Sequence, residues 1–392
     1  MQDWGMRAGV FLVATVAALG FATEAAWAQT APTVTSALPS WRAPGAAFVV
    51  RGTAAPGASV GLWLGGTRRA TVAAQPGGDF VFRVRAPATP RRYAVAVASG
   101  GERTDAGPLR VRPVRLAAGG DVTLGDGVAT AIRRYGPRWP WRSVAPVLRA
   151  ADVAVVNLET CVSRRGRPWP GKEFTFRGRP RWLRTAANFA GIDVGSLANN
   201  HSLDYGRRAF ADTLATAKRH GIRTIGGGTN LARARRPAIL RRGGLRLAFL
   251  GFSDVRPPGF DAGRRRSGAT PAFARYVRAD VRSASRDADI VVVYFHWGIE
   301  LDRTPSARQR ALARVALRAG ATVVLGAHPH VLQPRDRRGR RFVAWSLGNF
   351  VFAWNSPGTN RTGILRLGLG RSGAVSSKFL RARINWVQPR LR

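Results

Sequence analysis

Two patterns of apolar and polar positions divide the chain. Segments 48–52, 60–64, 80–84 and 93–97 alternate apolar and polar residues, and turn residues such as Pro56-Gly57 and Gly77-Gly78-Asp79 separate them. Alternation of period two between Gly/Pro punctuation marks half-buried strands, and several at regular spacing predict an all-β sandwich over residues 33–112. From Val114 the pattern changes. Short continuous apolar runs at 114–118, 153–157, 192–195, 223–225, 245–252, 290–295 and 322–325 alternate with helical periodicity at 207–220, 273–284 and 306–319. Continuous runs fit strands buried on both faces, so residues 114–392 are predicted to form an α/β domain with helices on both faces of its sheet. Three later strands, 342–346, 363–369 and 377–386, have no long helices between them. They are expected to pair antiparallel, as a second sheet or an extension of the first.

The amino terminus follows neither pattern. Arg7 precedes an apolar run over residues 8–22, and Ala26-Trp27-Ala28 then places small residues at two cleavage-recognition positions. Residues 1–28 therefore read as a secretory signal, which implies a secreted or cell-envelope location. A retained anchor is the alternative, although the run is short for a bilayer span. The single cysteine, Cys161, cannot form an internal disulfide and reads as a small buried hydrophobe.

The 392 residues carry a net charge of +42, from 63 Lys+Arg against 21 Asp+Glu. Only Lys172, Lys218 and Lys378 are lysines. Such a field attracts polyanions: nucleic acid, anionic lipid, teichoic-type phosphates or polyglutamate. The arginines are scattered, however, and a compositional bias that puts arginine for lysine throughout accounts for the charge as well. An export signal argues against a partnership with genomic nucleic acid.

Chemistry concentrates at the carboxyl ends of the apolar runs of the second domain. They lead into Gly119-Gly120-Asp121, Asn157-Leu158-Glu159, Asn199-Asn200-His201 with Asp204, His296-Trp297-Gly298 with Glu300, and Gly326-Ala327-His328-Pro329-His330. Ligands bind at this edge of parallel sheets. Each position alone has a bland explanation, as a helix cap or a turn. Together they bring carboxylates, an amide oxygen and four imidazoles to one edge, a set hard to satisfy in burial without a cation. Mixed oxygen and nitrogen ligands suit Mn, Fe or Zn better than Ca or Mg, in one or two ions. The fifth histidine, His220, closes a helix.

These motifs, with Asp204-Tyr205-Gly206 and Ser346-Leu347-Gly348-Asn349-Phe350, resemble in order the CapA family of capsule-synthesis, poly-γ-glutamate proteins. That family's domain is similar to calcineurin-like metallophosphoesterases, and the resemblance runs from about Val114 to Phe352. It implies metallophosphatase-like layered sheets flanked by helices. The preceding stretch Gly52 to Val60 resembles bacterial immunoglobulin-like modules. By the family pattern Asp121 is the first-strand metal ligand and Glu159 the bridging carboxylate. Asn200, His296 and His328 hold the second metal, and His330 returns to the first. His201 is then the non-ligand imidazole that protonates a leaving group, with Asp204 or Glu300 orienting it. The pattern's histidine two residues after the first aspartate is replaced here by Thr123, which weakens the first site; Asp126 is a candidate to reach it.

Asn349 falls near the same rim, where it either binds substrate or satisfies a tight turn. Arg177 is a candidate substrate-anion contact, and residues 164–172 read as a flexible loop that can overhang the site. The resemblance implies an exported metal-dependent hydrolase, phosphoesterase-like or amide-cleaving, acting by a metal-bound hydroxide on an anionic envelope polymer or phosphorylated substrate. The alternative is a non-catalytic polymer-binding or assembly factor with a structural metal. Capsule-synthesis membrane proteins are possible partners in either case.

Overall fold

A computed structural model describes residues 30–353 and 356–392; the expected signal, residues 1–28, lies outside them. The described chain forms two compact units. One comprises residues 30–40, Phe48–Val84 and Arg92–Arg110, and the other Trp41–Ala47, Arg85–Arg91 and Val111–Arg392. No helix among the described residues is long and apolar enough to cross a membrane.

The first unit is all-β and antiparallel. Thr33–Val34, Ala47–Thr53 and Asp79–Arg85 form one sheet, while Glu102–Val111, Arg92–Ser99, Ser59–Leu64 and Thr67–Ala73 lie side by side in another. The predicted alternation is visible in Asp79–Arg85, which buries Phe80 and Phe82 and exposes Val81 and Arg83. Thr67–Ala73 was not foreseen. It is an edge strand with Arg68 and Arg69 exposed, and it lacks the apolar alternation that would announce it.

The second unit departs from the single two-faced sheet that the apolar runs predict. It has two sheets. In the first, Arg223–Ile225, Val194–Ser196, Val153–Leu158 and Val114–Val122 are parallel neighbours, and Arg361–Gly370, Gly373–Asn385 and Gln388–Leu391 continue it antiparallel. In the second, Leu245–Ser253, Ile290–His296, Val323–Ala327 and Arg341–Ala344 are parallel, with Ala238–Arg242 and Arg335–Arg338 antiparallel at the edges. Strand 342–346 was expected to pair antiparallel with its successors. Instead Arg341–Ala344 joins the second sheet parallel to Val323–Ala327, while the two long strands after it extend the first sheet.

Side-chain alternation shows how the layers stack. Leu116, Ala118, Val153 and Val155 of the first sheet share a buried cluster with Leu247, Phe249, Val292, Tyr294 and Leu325 of the second. The intervening residues point outward. Ala154, Val156 and Leu158 pack with Val128, Leu183 and Phe210 from helices Asp126–Tyr135, Pro180–Asn188 and Gly206–Arg219. Leu250, Val291 and Val293 pack with Val277 and Val281 of helix Ala274–Asp287 and with Leu312 and Ala316 of helix Ala307–Ala319. The order is helices, sheet, sheet, helices, so every central strand is covered on both faces and its sequence is apolar throughout. Tyr294 links the layers, its hydroxyl donating to the Gly119 carbonyl at 2.8 Å.

The parallel strands of both sheets end on one side, at Val122, Leu158 and Ser196 and at Ser253, His296 and Ala327. Two glycines let the loop between the sheets lie close there. A β-carbon on Gly120 would collide with the Gly348 carbonyl oxygen, and one on Gly326 with that of Trp345.

Candidate metal centre

Strand ends deliver the charged groups. Asp121 closes toward the end of Val114–Val122 and is fully buried. Its Oδ1 accepts from Asn157 Nδ2 at 2.8 Å, and its Oδ2 from the His328 backbone N–H at 3.2 Å. Glu159 follows Val153–Leu158, anchored by its N–H to the Val122 carbonyl at 2.9 Å. Both Glu159 carboxylate oxygens are buried and make no hydrogen bond among the described residues. Burial, and then the charge of Asp121, push the Glu159 carboxyl well above its usual range. Asp121 is also raised, by burial first, with His330 and its hydrogen bonds opposing.

The imidazoles face these carboxylates. His296 ends Ile290–His296, with Nε2 3.5 Å from Glu159 Oε1 and 2.7 Å from Asn200 Oδ1. His328 and His330 follow Val323–Ala327 on backbone with φ of +96° and +58°. Non-glycine residues at positive φ carry strain that surrounding structure must hold, and here the strain turns both rings into the site. His328 Nδ1 is buried without a hydrogen bond among the described residues. Burial, then neighbouring His330, lowers His328 to about 3. His296 is driven well down by burial first and then by His328 and His330. Burial lowers His330 too, with Asp121 opposing, so all three rings are shifted toward the neutral form, the state in which imidazole binds metal.

One ligand atom from each of Glu159, His296 and His328 lies within 4.8 Å of the others. The same holds for Asp121, Glu159 and His330, and for Glu300, His328 and His330. Glu159 belongs to the first two groups, as a carboxylate between two adjacent ions would. The donor set and the unsatisfied atoms fit a divalent metal: the cluster leaves two carboxylate oxygens and one imidazole nitrogen buried and unused. Asn200, half-buried beside His296, can add its side-chain oxygen.

A second group lies at the edge of this cluster. His201 Nδ1 meets Asp204 Oδ2 at 2.7 Å, and His201 Nε2 is 3.9 Å from Glu159 Oε1. Phe176 stacks on the His201 ring at 4.2 Å between centroids, and the Phe176 N–H donates to Asp204 Oδ2 at 2.6 Å. Lys172 was not foreseen as a site residue. Its ammonium pairs with Asp204, donates to the Asn200 carbonyl at 2.5 Å and lies 3.0 Å from His201 Nδ1. Burial lowers the Lys172 ammonium and Asp204 opposes that. A signal was present: this is one of only three lysines in a chain that otherwise uses arginine. A compact ammonium fits where a planar fork does not.

The remaining candidates occupy other places. Glu300 is exposed beside His328 and His330, so the contact that orients His201 comes from Asp204. Asn349 is buried, with Oδ1 2.7 Å from His330 Nδ1 and Nδ2 3.4 Å from the Thr359 carbonyl. Arg177 is exposed and stacked over Tyr205 at 4.2 Å. Thr123 Oγ1 accepts from the Gly125 N–H at 3.0 Å, and Asp126 is exposed at the start of its helix, outside the three ligand groups. Asn157 and Asn199 form an unforeseen support. Asn157 holds Asp121, and Asn199 Nδ2 donates to Asn157 Oδ1 at 3.1 Å and to the Leu158 carbonyl at 2.9 Å.

A layered α/β unit with a carboxylate–histidine cluster at the shared end of its sheets thus defines the class of protein. Residues 115–353, more than half of the chain, match the family described as bacterial capsule synthesis protein PGA_cap, and the chain belongs to that family. It is 32% identical over 256 residues to the PGA biosynthesis protein CapA of Bacillus subtilis (strain 168), covering 65% of this chain and 67% of that protein. It is 32% identical over 263 residues to the capsule biosynthesis protein CapA of Bacillus anthracis, covering 65% of this chain and 64% of that one. A probable polyglutamine synthesis accessory protein of Mycobacterium tuberculosis is 31% identical over 227 residues, covering 55% and 60%. The matches span about two thirds or less of these relatives' lengths. Among solved structures, the chain is remotely similar to a hypothetical protein from Thermus thermophilus, with TM-score 0.46, 16% identity, and coverage of 69% of this chain and 100% of that one. A 5'-nucleotidase precursor from the same organism gives TM-score 0.40 and 14% identity, covering 71% and 54%.

Proposed function

We propose that this protein is an exported, cell-envelope member of its family, and that its second unit is a metal-dependent hydrolase acting on an anionic envelope polymer of the poly-γ-glutamate type. The observation that supports it most is Glu159, whose two buried oxygens have no hydrogen bond among the described residues and face His296, His328, Asp121 and His330. The apolar run and small residues within 1–28 support export, and the antiparallel sheets of the first unit support an immunoglobulin-like module.

Asp121, Glu159, Asn200, His296, His328 and His330 would hold a divalent transition metal, which when bound would supply Lewis-acid polarisation and a lowered pKa for water near neutral pH. The chain's own residues do the rest. Asp204 accepts from His201 Nδ1–H, which leaves the Nε2 lone pair on the Glu159 side to take a proton from the attacking water and then return it to the leaving group. Lys172 and the Phe176 N–H fix Asp204, and Phe176 fixes the plane of the imidazole.

The test is cleavage of poly-γ-glutamate and of aryl phosphates by the parent, His201→Ala and Glu159→Gln, with metal content measured on each. The reading expects turnover by the parent only, with metal kept in His201→Ala and reduced in Glu159→Gln. Tight polymer binding by all three without turnover would assign the protein to assembly instead.

A further inference from the structure

Away from the metal centre, arginines from two elements face one another across a cleft. Helix Ala307–Ala319 buries Leu312, Ala313, Ala316 and Leu317 and exposes Arg310, Arg314 and Arg318. Spaced four residues apart, these share one face over about 12 Å of helix. Opposite them runs the hairpin of Arg335–Arg338 and Arg341–Ala344, in which Arg338 pairs directly with Arg341 and Arg340 sits at the tip. Arg314, Arg318, Arg338, Arg340 and Arg341 with Leu317 line a cleft of about 510 Å³. A smaller neighbour of about 60 Å³ continues it along Arg310.

Among the described residues none of these six arginines pairs with a carboxylate. Arg340 bonds Ser372 Oγ, and Asp336, the acid on the Arg338 face of its strand, accepts from Trp345 Nε1 at 2.6 Å. Like charges directly opposite in a hairpin and lining a concave wall repel, and an anion in the cleft would relieve that. Elsewhere the chain does pair arginines at comparable positions, as in Arg235 with Asp280 and Arg308 with Asp254.

We propose that this cleft is a docking track for a linear carboxylate polymer, an inference that rests on the polymer reading above and gives it a place. Guanidinium forks match carboxylates two bonds at a time, and a row of them suits a chain of regularly spaced acids. Nucleic acid fits less well. The one aromatic residue in the wall, Trp345, is 5% exposed and its indole N–H is engaged, so no stacking platform is offered to bases.

The experiment is fluorescence anisotropy of labelled poly-γ-glutamate, and separately of single-stranded DNA, across a salt series. It compares the full-length parent with a track variant (Arg314→Gln, Arg318→Gln, Arg338→Gln, Arg341→Gln) and a control variant of equal charge (Arg68→Gln, Arg69→Gln, Arg92→Gln, Arg110→Gln). The expected result is a weakening of polyglutamate binding by about tenfold or more in the track variant, with a shallower salt dependence, against less than about threefold in the control. Circular dichroism melts of both variants check that the fold is retained. Equal losses in the two variants would overturn the track while leaving the polymer reading intact. No polyglutamate binding by the parent would overturn both. Loss of DNA binding alone in the track variant would reassign the cleft to nucleic acid.

Discussion

Asp204 Oδ2 stands 2.7 Å from Nδ1 of His201, three residues earlier, and the Lys172 ammonium lies against both. The carboxylate fixes which imidazole nitrogen carries the proton, and therefore which one faces the carboxylate–histidine cluster. On the hydrolase reading proposed above, Asp204→Asn should reduce kcat by about 10- to 100-fold with little change in KM or bound metal, because it disturbs proton transfer and not the ligands. Steady-state kinetics beside elemental analysis checks this. An unchanged kcat would remove Asp204 from the proton-transfer account.

Lys172 is the only cation that the described structure pairs with the fully buried Asp204 carboxylate. Removing one partner of a buried pair leaves the other charge uncompensated, so Lys172→Met should cost about 3 kcal/mol of unfolding free energy. Lys172→Arg should not restore it, because a planar fork cannot occupy the place where one ammonium meets Asp204, His201 and the Asn200 carbonyl. Urea titrations of the three proteins decide the point. Parent-like stability in Lys172→Met would contradict it.

The hydroxyl of Tyr294 is the hydrogen bond that crosses between the stacked sheets at Gly119. Tyr294→Phe keeps the ring and leaves a buried carbonyl unpaired, at a cost of about 1–2 kcal/mol and without loss of metal. Thermal and urea unfolding measure it.

How much of this was legible in sequence depended on how local the cause was. His328 and His330 were visible because a buried strand ending in Gly announces itself and two rings follow at once. The strands of the α/β unit were visible for the same reason. Their division into two sheets was implied by the family resemblance but not by the pattern itself: Val153–Leu158 and Ile290–His296 are apolar on both faces, so periodicity carries no sign of which face meets a helix and which meets the other sheet. The parallel placement of Arg341–Ala344 was hidden because its connection to Val323–Ala327 contains no long helix, only a loop and the edge strand Arg335–Arg338. Lys172 was out of reach of spacing arguments, since its partner lies 32 residues away, beyond helix Pro180–Asn188 and strand Val194–Ser196.

Asp152 links pH to stability. Burial alone would raise its carboxyl, but hydrogen bonds from Arg112, at 2.6 and 2.9 Å, and from the Arg115 N–H, at 2.7 Å, hold it below the usual range. A depressed folded pKa contributes stability that is present above the unfolded value of about 3.9 and lost as pH falls through the lower folded value. The stability difference between the parent and Asp152→Asn should therefore be largest near neutral pH and shrink below about pH 4. A difference that stays constant down to pH 2 would contradict the ion-pair account.

The central claim is that the buried carboxylates and imidazoles at the sheet ends hold metal. Its most direct test is elemental analysis of the purified protein, expressed with Mn, Fe and Zn supplied, beside Glu159→Gln and His328→Ala. The account predicts one or two transition-metal ions in the parent and clearly less in both variants, with a lower melting temperature for the parent after chelation. A parent that folds, stays free of metal and is indifferent to chelation would contradict it.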